Sequence, residues 1–88
     1  MPAITVGLPA ALTAPSPARE YALEAGTVGE ALRAVVGKAP QYAQRMFYRD
    51  RLLVVVTLNG KQLPPGRVRE TELADGDRLD VLMPVAGG

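Results

Sequence analysis

The sequence predicts an α+β fold, with one main helix on one face of a sheet of four to five short strands. Three observations carry this expectation. A segment near residue 30 shows an apolar stripe at helical spacing behind a capping signal. Segments near both ends of the chain, and another around residue 55, have the two-residue alternation or continuous apolarity of strands. No repeat, low-complexity stretch or interior boundary divides the chain, and 88 residues suit one small domain. A single helix covers only one face of such a sheet, which leaves the other face to be explained.

The elements follow in order. Ile4, Val6 and Leu8 alternate with Thr5 and Gly7 as a short half-buried strand that Pro9 ends. Residues 10–18 carry Pro15, Ser16 and Pro17 and are expected to hold no regular structure for long. Arg19 to Glu24 reads as a second strand with Tyr21 and Leu23 on one face. Thr27 and Glu30 form a capping box, in which each side chain is expected to satisfy the other's backbone N–H. Val28, Ala31, Leu32, Val35 and Val36 then make one helical stripe, with Gly37 suited to the C′ position and Pro40 forbidding simple continuation.

Gln41 to Tyr48 adds a further turn or two, with Tyr42, Met46 and Phe47 as plugs for the core edge. Leu53 to Leu58 is the strongest strand, and Asn59-Gly60 after it is a type I′ hairpin signal. Lys61 to Leu63 returns from that turn, and Pro64-Pro65-Gly66 cuts it short. Ala74-Asp75-Gly76-Asp77 is a tight turn, in which Asp75 and Asp77 are read as turn formers rather than a cation site. Arg78 to Met83 is the last strand, with Leu79 and Val81 facing the core.

Composition removes whole classes of function. The 48% hydrophobic and 22% charged residues describe a globular chain, and a net charge of +1 gives no field for nucleic acid or an anionic membrane. The chain has no cysteine, which removes disulfides, thiol nucleophiles and thiolate metal sites. It also has no histidine, the commonest general base and metal ligand. No apolar run approaches the roughly 18 residues of a membrane span, and no signal-peptide pattern opens the sequence. A cytoplasmic protein that is not an enzyme is the expectation.

Two places are left for function. Val55, and with it Leu53, lies on the opposite side of its strand from Val54, Val56 and Leu58, while Leu82 lies on the same side as Arg78 and Asp80. Loops over these residues would explain them, and so would a partner-docking patch on the open sheet face. The second place is Pro84-Val85-Ala86-Gly87-Gly88, which follows a strand directly. A Gly-Gly pair at a given place arises in roughly one chain in 200, so its placement carries more than its presence. Glycine has no Cβ and fits a narrow channel, and five residues beyond Met83 reach roughly 16 Å. A carboxylate there is ionised and unreactive at neutral pH until another enzyme activates it.

Taken together, Gly26-Thr-Val-Gly-Glu-Ala-Leu-Arg33, the Leu58-Asn59-Gly60 hairpin, Leu73-Ala-Asp-Gly-Asp77 and Pro84-Val-Ala-Gly-Gly88 stand in an order and spacing that resembles the ubiquitin-like sulfur carriers of the MoaD/ThiS type. The resemblance runs over essentially the whole chain. It implies a ubiquitin-like β-grasp: a mixed sheet whose first and last strands lie parallel at its centre, with residues 1–83 as the domain and 84–88 as a flexible tail. It also implies that an E1-like enzyme adenylates the Gly88 carboxylate with ATP. A sulfur donor then forms a thiocarboxylate, and a biosynthetic enzyme takes the sulfur. Gly88 would carry the sulfur, Gly87 would keep the tail slim, Val85 and Ala86 would line the partner's channel, and Leu82 with Val55 would dock the partner. No bound cofactor, nucleic acid or membrane is expected.

Two departures bear on the branch. Molybdopterin-synthase small subunits often carry an aromatic where this chain has Val81-Leu82-Met83, and the chain is longer than usual thiamine carriers. Molybdopterin, cysteine and secondary-metabolite pathways all stay open. So do two rival functions: a modifier joined to lysines through Gly88, and a plain interaction module. The arginines Arg45, Arg49, Arg51, Arg67 and Arg69 are read as solvated surface, with Glu70, Glu72, Asp75 and Asp77 nearby in sequence. Tyr21, Tyr42, Phe47 and Tyr48 are read as core or core-edge residues.

Overall fold

The computed structural model describes residues 1–49 and 51–84, leaving out the side chain of Pro65. The expected tail residues Val85, Ala86, Gly87 and Gly88 lie outside the described residues. The chain folds as β1 (Ala3–Leu8), α1 (Ala10–Thr13), β2 (Arg19–Glu24), α2 (Val28–Lys38) and α3 (Ala43–Met46). It continues with β3 (Phe47–Tyr48), β4 (Arg51–Leu52), β5 (Val55–Leu58), β6 (Lys61–Gln62) and β7 (Arg78–Leu82). Single 3₁₀ turns occupy Pro40–Tyr42 and Pro65–Arg67.

The main sheet has five strands in the order β2-β1-β7-β5-β6. The first and last strands run side by side and parallel at its centre, with Val6 opposite Leu79, and the remaining pairs are antiparallel. This is the mixed α+β, ubiquitin-like β-grasp arrangement. A separate two-stranded ribbon pairs β3 with β4.

Alternation in the central strands puts Ile4, Val6, Leu8, Val56, Leu79 and Val81 on one face, where all are buried. They meet Val28, Ala31, Leu32 and Val35 of α2, and Leu12, Tyr42, Met46 and Val68 close the ends of the same cluster. Each large apolar side chain fully buried there stabilises the fold by about 1.5–3 kcal/mol.

The start of α2 is held from two sides. Thr27 Oγ1 accepts from the Glu30 N–H at 3.2 Å, as its capping position predicts. The reciprocal half differs: the Glu30 carboxylate accepts from the Thr27 hydroxyl. The next free donors, the N–H groups of Val28 and Gly29, go to the carbonyls of Thr71 and Arg69. A Cβ at Gly29 would lie 3.1 Å from the Arg69 carbonyl oxygen, so glycine is what allows that segment to come so close.

Five local expectations are corrected. Residues 10–13 form a helical turn, in which Thr13 is buried and its hydroxyl donates within reach of the carbonyls of Pro9, Ser16 and Pro17. Gly37 sits inside α2, which runs on to Lys38 and caps at the buried Ala39, three residues past the cap that a C′ glycine at 37 would imply. The strongest strand starts at Val55 rather than Leu53, since the Leu53 N–H goes to the Met46 carbonyl instead of the sheet. The short return strand ends at Gln62. The last strand ends at Leu82, where its pairing with Val55 stops.

The Asn59-Gly60 turn is as expected, with φ of 52° and 86° at its two residues. Asn59 also ties this turn to the start of β7: its Oδ1 accepts from the Arg78 N–H and its Nδ2 donates to Asp77.

Candidate functional site

The open face of the sheet is built by the other half of each strand's alternation. Val55 and Leu82 are directly opposite in the antiparallel β5–β7 pair, so their side chains stand next to each other on one face. The two predicted docking residues are therefore brought together. Leu82 is 45% exposed, and Leu53, two residues before Val55, is 38% exposed. Met83, in phase with Leu79 and Val81, packs against the core cluster. The apolar patch thus lies at the last paired residue of the central strand, two residues before Pro84, the last described residue.

A charged cluster borders it. On the same face, Asp80 stands between Thr57 and Gly7, and Gly7 in turn faces Glu20. Arg78 grips Asp80 with two bonds, Nε to Oδ2 and Nη2 to Oδ1, both at 3.0 Å. Its Nη2 also reaches Glu20 Oε2 at 2.7 Å. The hydrogen bonds that Arg78 donates to Asp80, and after them the one to Glu20, raise its pKa further above an already high value, so the guanidinium keeps its charge.

Gly7 makes this cluster possible. A Cβ there would lie 2.5 Å from Asp80 Oδ1 and 2.8 Å from Arg78 Nη2. A hollow of about 230 Å³ opens beside the cluster, lined among others by Leu8, Pro9, Ala18 and Leu82. The face therefore offers an apolar spot, a shallow recess and a fixed, mixed-charge border.

Reading the sequence missed Gly7 and the triad. Arg78 and Asp80 two apart on one strand face were a visible signal. Glu20 was not, because its place beside them depends on β2, β1 and β7 being neighbours.

The other candidates resolve as structural parts. Asp77 accepts from the Ala74 N–H and from Asn59, and these bonds, the backbone one first, hold its carboxyl below the usual aspartate value. Asp75 accepts from the Ala3 N–H, which ties the turn to β1. Among the described residues no group of three acids gathers as a metal site. Arg45 donates to the carbonyls of Leu12 and Ala14 and so fastens α1 to α3. Tyr42 is buried and Tyr21 and Phe47 pack on the core, but Tyr48 is 62% exposed, correcting its reading as a core-edge residue. It sits in the β3–β4 ribbon, which lies outside the main sheet.

The mixed sheet with its first and last strands parallel at the centre and one main helix on one face is a small ubiquitin-like β-grasp, with an exposed apolar patch at the end of its central strand. The ThiS family model matches residues 13–88, and the chain belongs to the ThiS family. Solved structures agree. The crystal structure of small archaeal modifier protein 1 from Haloferax volcanii is 31% identical, covering 98% of this chain and 99% of that one, with a TM-score of 0.71. The solution structure of small archaeal modifier protein 1 from Methanosarcina acetivorans is 25% identical over 100% of this chain and 98% of that one, with a TM-score of 0.79. The crystal structure of the BexX/CysO complex from Amycolatopsis orientalis contains a chain 26% identical to this one, covering 97% and 99% of the two, with a TM-score of 0.68. No curated protein matches by sequence at a significant level. The chain is thus a member of the ubiquitin-like sulfur-carrier and modifier family. No helix among the described residues is long and apolar enough to cross a membrane.

Proposed function

We propose that this protein is a sulfur carrier in which residues 1–83 form the recognised body and residues 84–88 the reacting tail. The observation that supports this most is the family match running through Gly88, combined with the Val55–Leu82 patch at the end of the strand that leads to that tail. In the proposed sequence the Gly88 carboxylate oxygen attacks the α-phosphorus of ATP on an E1-like enzyme and pyrophosphate leaves. A sulfur nucleophile from a donor protein then attacks the acyl carbon and AMP leaves. With the outer sulfur of a donor persulfide as that nucleophile, a thiolate next attacks the donor's inner sulfur and a disulfide forms between those two. The S–S bond to the acyl-bound sulfur breaks to release the thiocarboxylate, which a biosynthetic enzyme uses as its sulfur source. ATP is consumed by the activating enzyme, and this chain is the co-substrate rather than the catalyst.

In this reading Gly87 gives the backbone a width that a narrow channel accepts, and Val85 and Ala86 line that channel. Leu82 and Val55 supply the apolar contact that docks the activating enzyme. The 31% identity to an archaeal modifier protein favours a second reading, in which the same activated Gly88 is passed to a lysine amine.

Intact mass separates the two. After incubation with an active E1-like enzyme, ATP and a sulfur donor, the carrier gains the mass difference between sulfur and oxygen, mapped to Gly88. Deleting Gly88 abolishes the gain and leaves the thermal midpoint where it was. Conjugates on lysine with no thiocarboxylate would select the modifier, and no change of mass by either route would reject both readings.

A further inference from the structure

The hairpin turn that follows β5 holds the one asparagine of the sequence, Asn59, directly before Gly60. Both residues are exposed. Among the described residues nothing accepts from the Gly60 N–H, and a Cβ added at Gly60 would meet no atom within 4 Å. The Gly60 nitrogen is thus open to water and unshielded by any side chain. The Asn59 carboxamide, by contrast, is engaged at both ends. Its Oδ1 accepts from the Arg78 N–H at 2.9 Å, and its Nδ2 donates to Asp77 Oδ1 at 3.0 Å. The Asn59 N–H also donates to the Arg78 carbonyl, at 2.8 Å.

An asparagine placed before a glycine has a chemistry of its own. The glycine backbone nitrogen gives up its proton to water or hydroxide and attacks Cγ of the asparagine. A cyclic succinimide forms, the Cγ–Nδ2 bond breaks, and the nitrogen departs as ammonia with a proton returned by water. Water then opens the ring at either carbonyl and leaves aspartate or its β-linked isomer. The net change is one water consumed for one ammonia released. Glycine favours the closure because it has no Cβ to crowd the attack. Closure turns the Asn59 carboxamide onto its own backbone, and so competes with the bonds to Arg78 and Asp77.

We propose that Asn59 is a latent deamidation site, held unreactive by its clamp on the start of β7 and released when that strand end opens. The clamp joins residues 18 and 19 positions apart in sequence, so it exists only while β5 and β7 are paired at this end. Local opening there is sufficient to start the reaction. The reaction also removes its own way back. A carboxylate at position 59 has no N–H to give Asp77, and it sets a second negative charge where Nδ2 now lies 3.0 Å from Oδ1. The β-linked isomer adds a methylene to the backbone of a turn whose φ values of 52° and 86° suit a two-residue hairpin. Both products loosen the start of the strand that ends in Leu82.

The experiment ages the full chain and a synthetic peptide of residues 57–61 side by side in mildly alkaline buffer, with tryptic digestion and mass spectrometry at intervals. The tryptic fragment 52–61 carries a single carboxamide, that of Asn59. A gain equal to the mass difference between a hydroxyl and an amino group therefore reports this site alone. The peptide is expected to react readily, and the folded chain about tenfold or more slowly. Asp77→Ala removes one half of the clamp and speeds the reaction in the folded chain about fivefold, while the Arg78 amide exchanges faster with solvent. Should that variant lose its fold, Asp77→Asn, which keeps a carbonyl acceptor, serves in its place with a smaller acceleration in the same direction. Asn59→Asp installs the product directly and lowers the thermal midpoint. Equal rates in chain and peptide would mean that the clamp protects nothing, and an unreactive peptide would mean that there is no site to protect; either overturns the proposal. So would an Asp77 variant that reacts no faster than the parent, or Asn59→Asp with the parent's midpoint.

Discussion

The two faces of the central strands obey opposite rules although they come from the same residues. On β7, Leu79 and Val81 are fully buried against α2, whereas Arg78, Asp80 and Leu82, one step out of phase, stand on the open face. On β5, Val56 is buried while its neighbour Val55 is only partly so. The covered face is uniform, packed and aliphatic, which suits stability. The open face mixes an exposed leucine, a bare glycine and a three-member charge cluster, a combination that contributes little to folding. The difference teaches that residues costing the fold little are where recognition can be placed without endangering the core.

Four substitutions probe the two faces, from the largest expected effect to the smallest. Leu79→Ala empties a fully buried site between Val6 and Leu58. It lowers unfolding free energy by about 2–5 kcal/mol, read by denaturant unfolding, and a loss under about 1 kcal/mol would mean the covered face is loosely packed. Leu82→Asp is its counterpart one face over. It changes folding by no more than about 0.5 kcal/mol but weakens binding to the activating enzyme about tenfold or more, read by calorimetry. Equal binding by both proteins would remove the docking patch.

Gly7→Ala tests the border. The new methyl meets the ends of two flexible side chains, Arg78 and Asp80, rather than backbone. The ion pair shifts and stability falls by about 1 kcal/mol or less, with partner affinity changing more than the thermal midpoint. A collapse of the fold would show that the cluster is structural.

The smallest effect is at the turn that feeds β7. The carboxyl of Asp77 titrates below the ordinary value near 3.8 because Ala74 and Asn59 donate to its charged form. A depressed folded pKa adds stability above the unfolded value, and that stability is lost as pH falls through the folded one. Asp77→Asn is therefore less stable than the parent at neutral pH, and the gap closes below about pH 4 as the parent's carboxyl is protonated. A gap that stays constant down to acid would mean that hydrogen-bond geometry, not charge, holds the turn.

The local rules were strong where a residue's role depends on near neighbours. The Thr27 cap, the stripe from Val28 to Val36, the Asn59-Gly60 turn and the strand alternations could all be read because each rests on spacings of two to four residues. The same holds for the pairing of Asp77 with the Ala74 N–H of its own turn, whereas Asp75 reaches the Ala3 N–H at the far end of the chain, which no local spacing announces. The misreadings share a physical cause. Gly37 has the right chemistry for a helix end, yet the helix runs past it to cap at the buried Ala39. Leu53 has strand propensity, yet its N–H was claimed by Met46 before the sheet began. Tyr48 is as aromatic as Tyr42, but the ribbon turns it to solvent. Propensity was overridden in each case by the pairing or burial that the surrounding fold imposed.

Local periodicity and composition were enough for the main helix, the five strands of the main sheet, the uncovered second sheet face and the absence of cysteine and histidine chemistry, but not for the turn at residues 10–13 or the β3–β4 ribbon. The candidate residues Leu82 and Val55 were already visible as apolar side chains on the wrong side of their strands. Their union into one patch was decided only by tertiary structure, because it requires β5 and β7 to pair in the register that sets Val55 against Leu82. The same is true of Glu20 reaching Arg78 across Gly7, and of Asn59 reaching Asp77 and Arg78. These groups are 18 to 58 residues apart in sequence order, and only chain topology, driven by burial of the other face, brings them within hydrogen-bonding range.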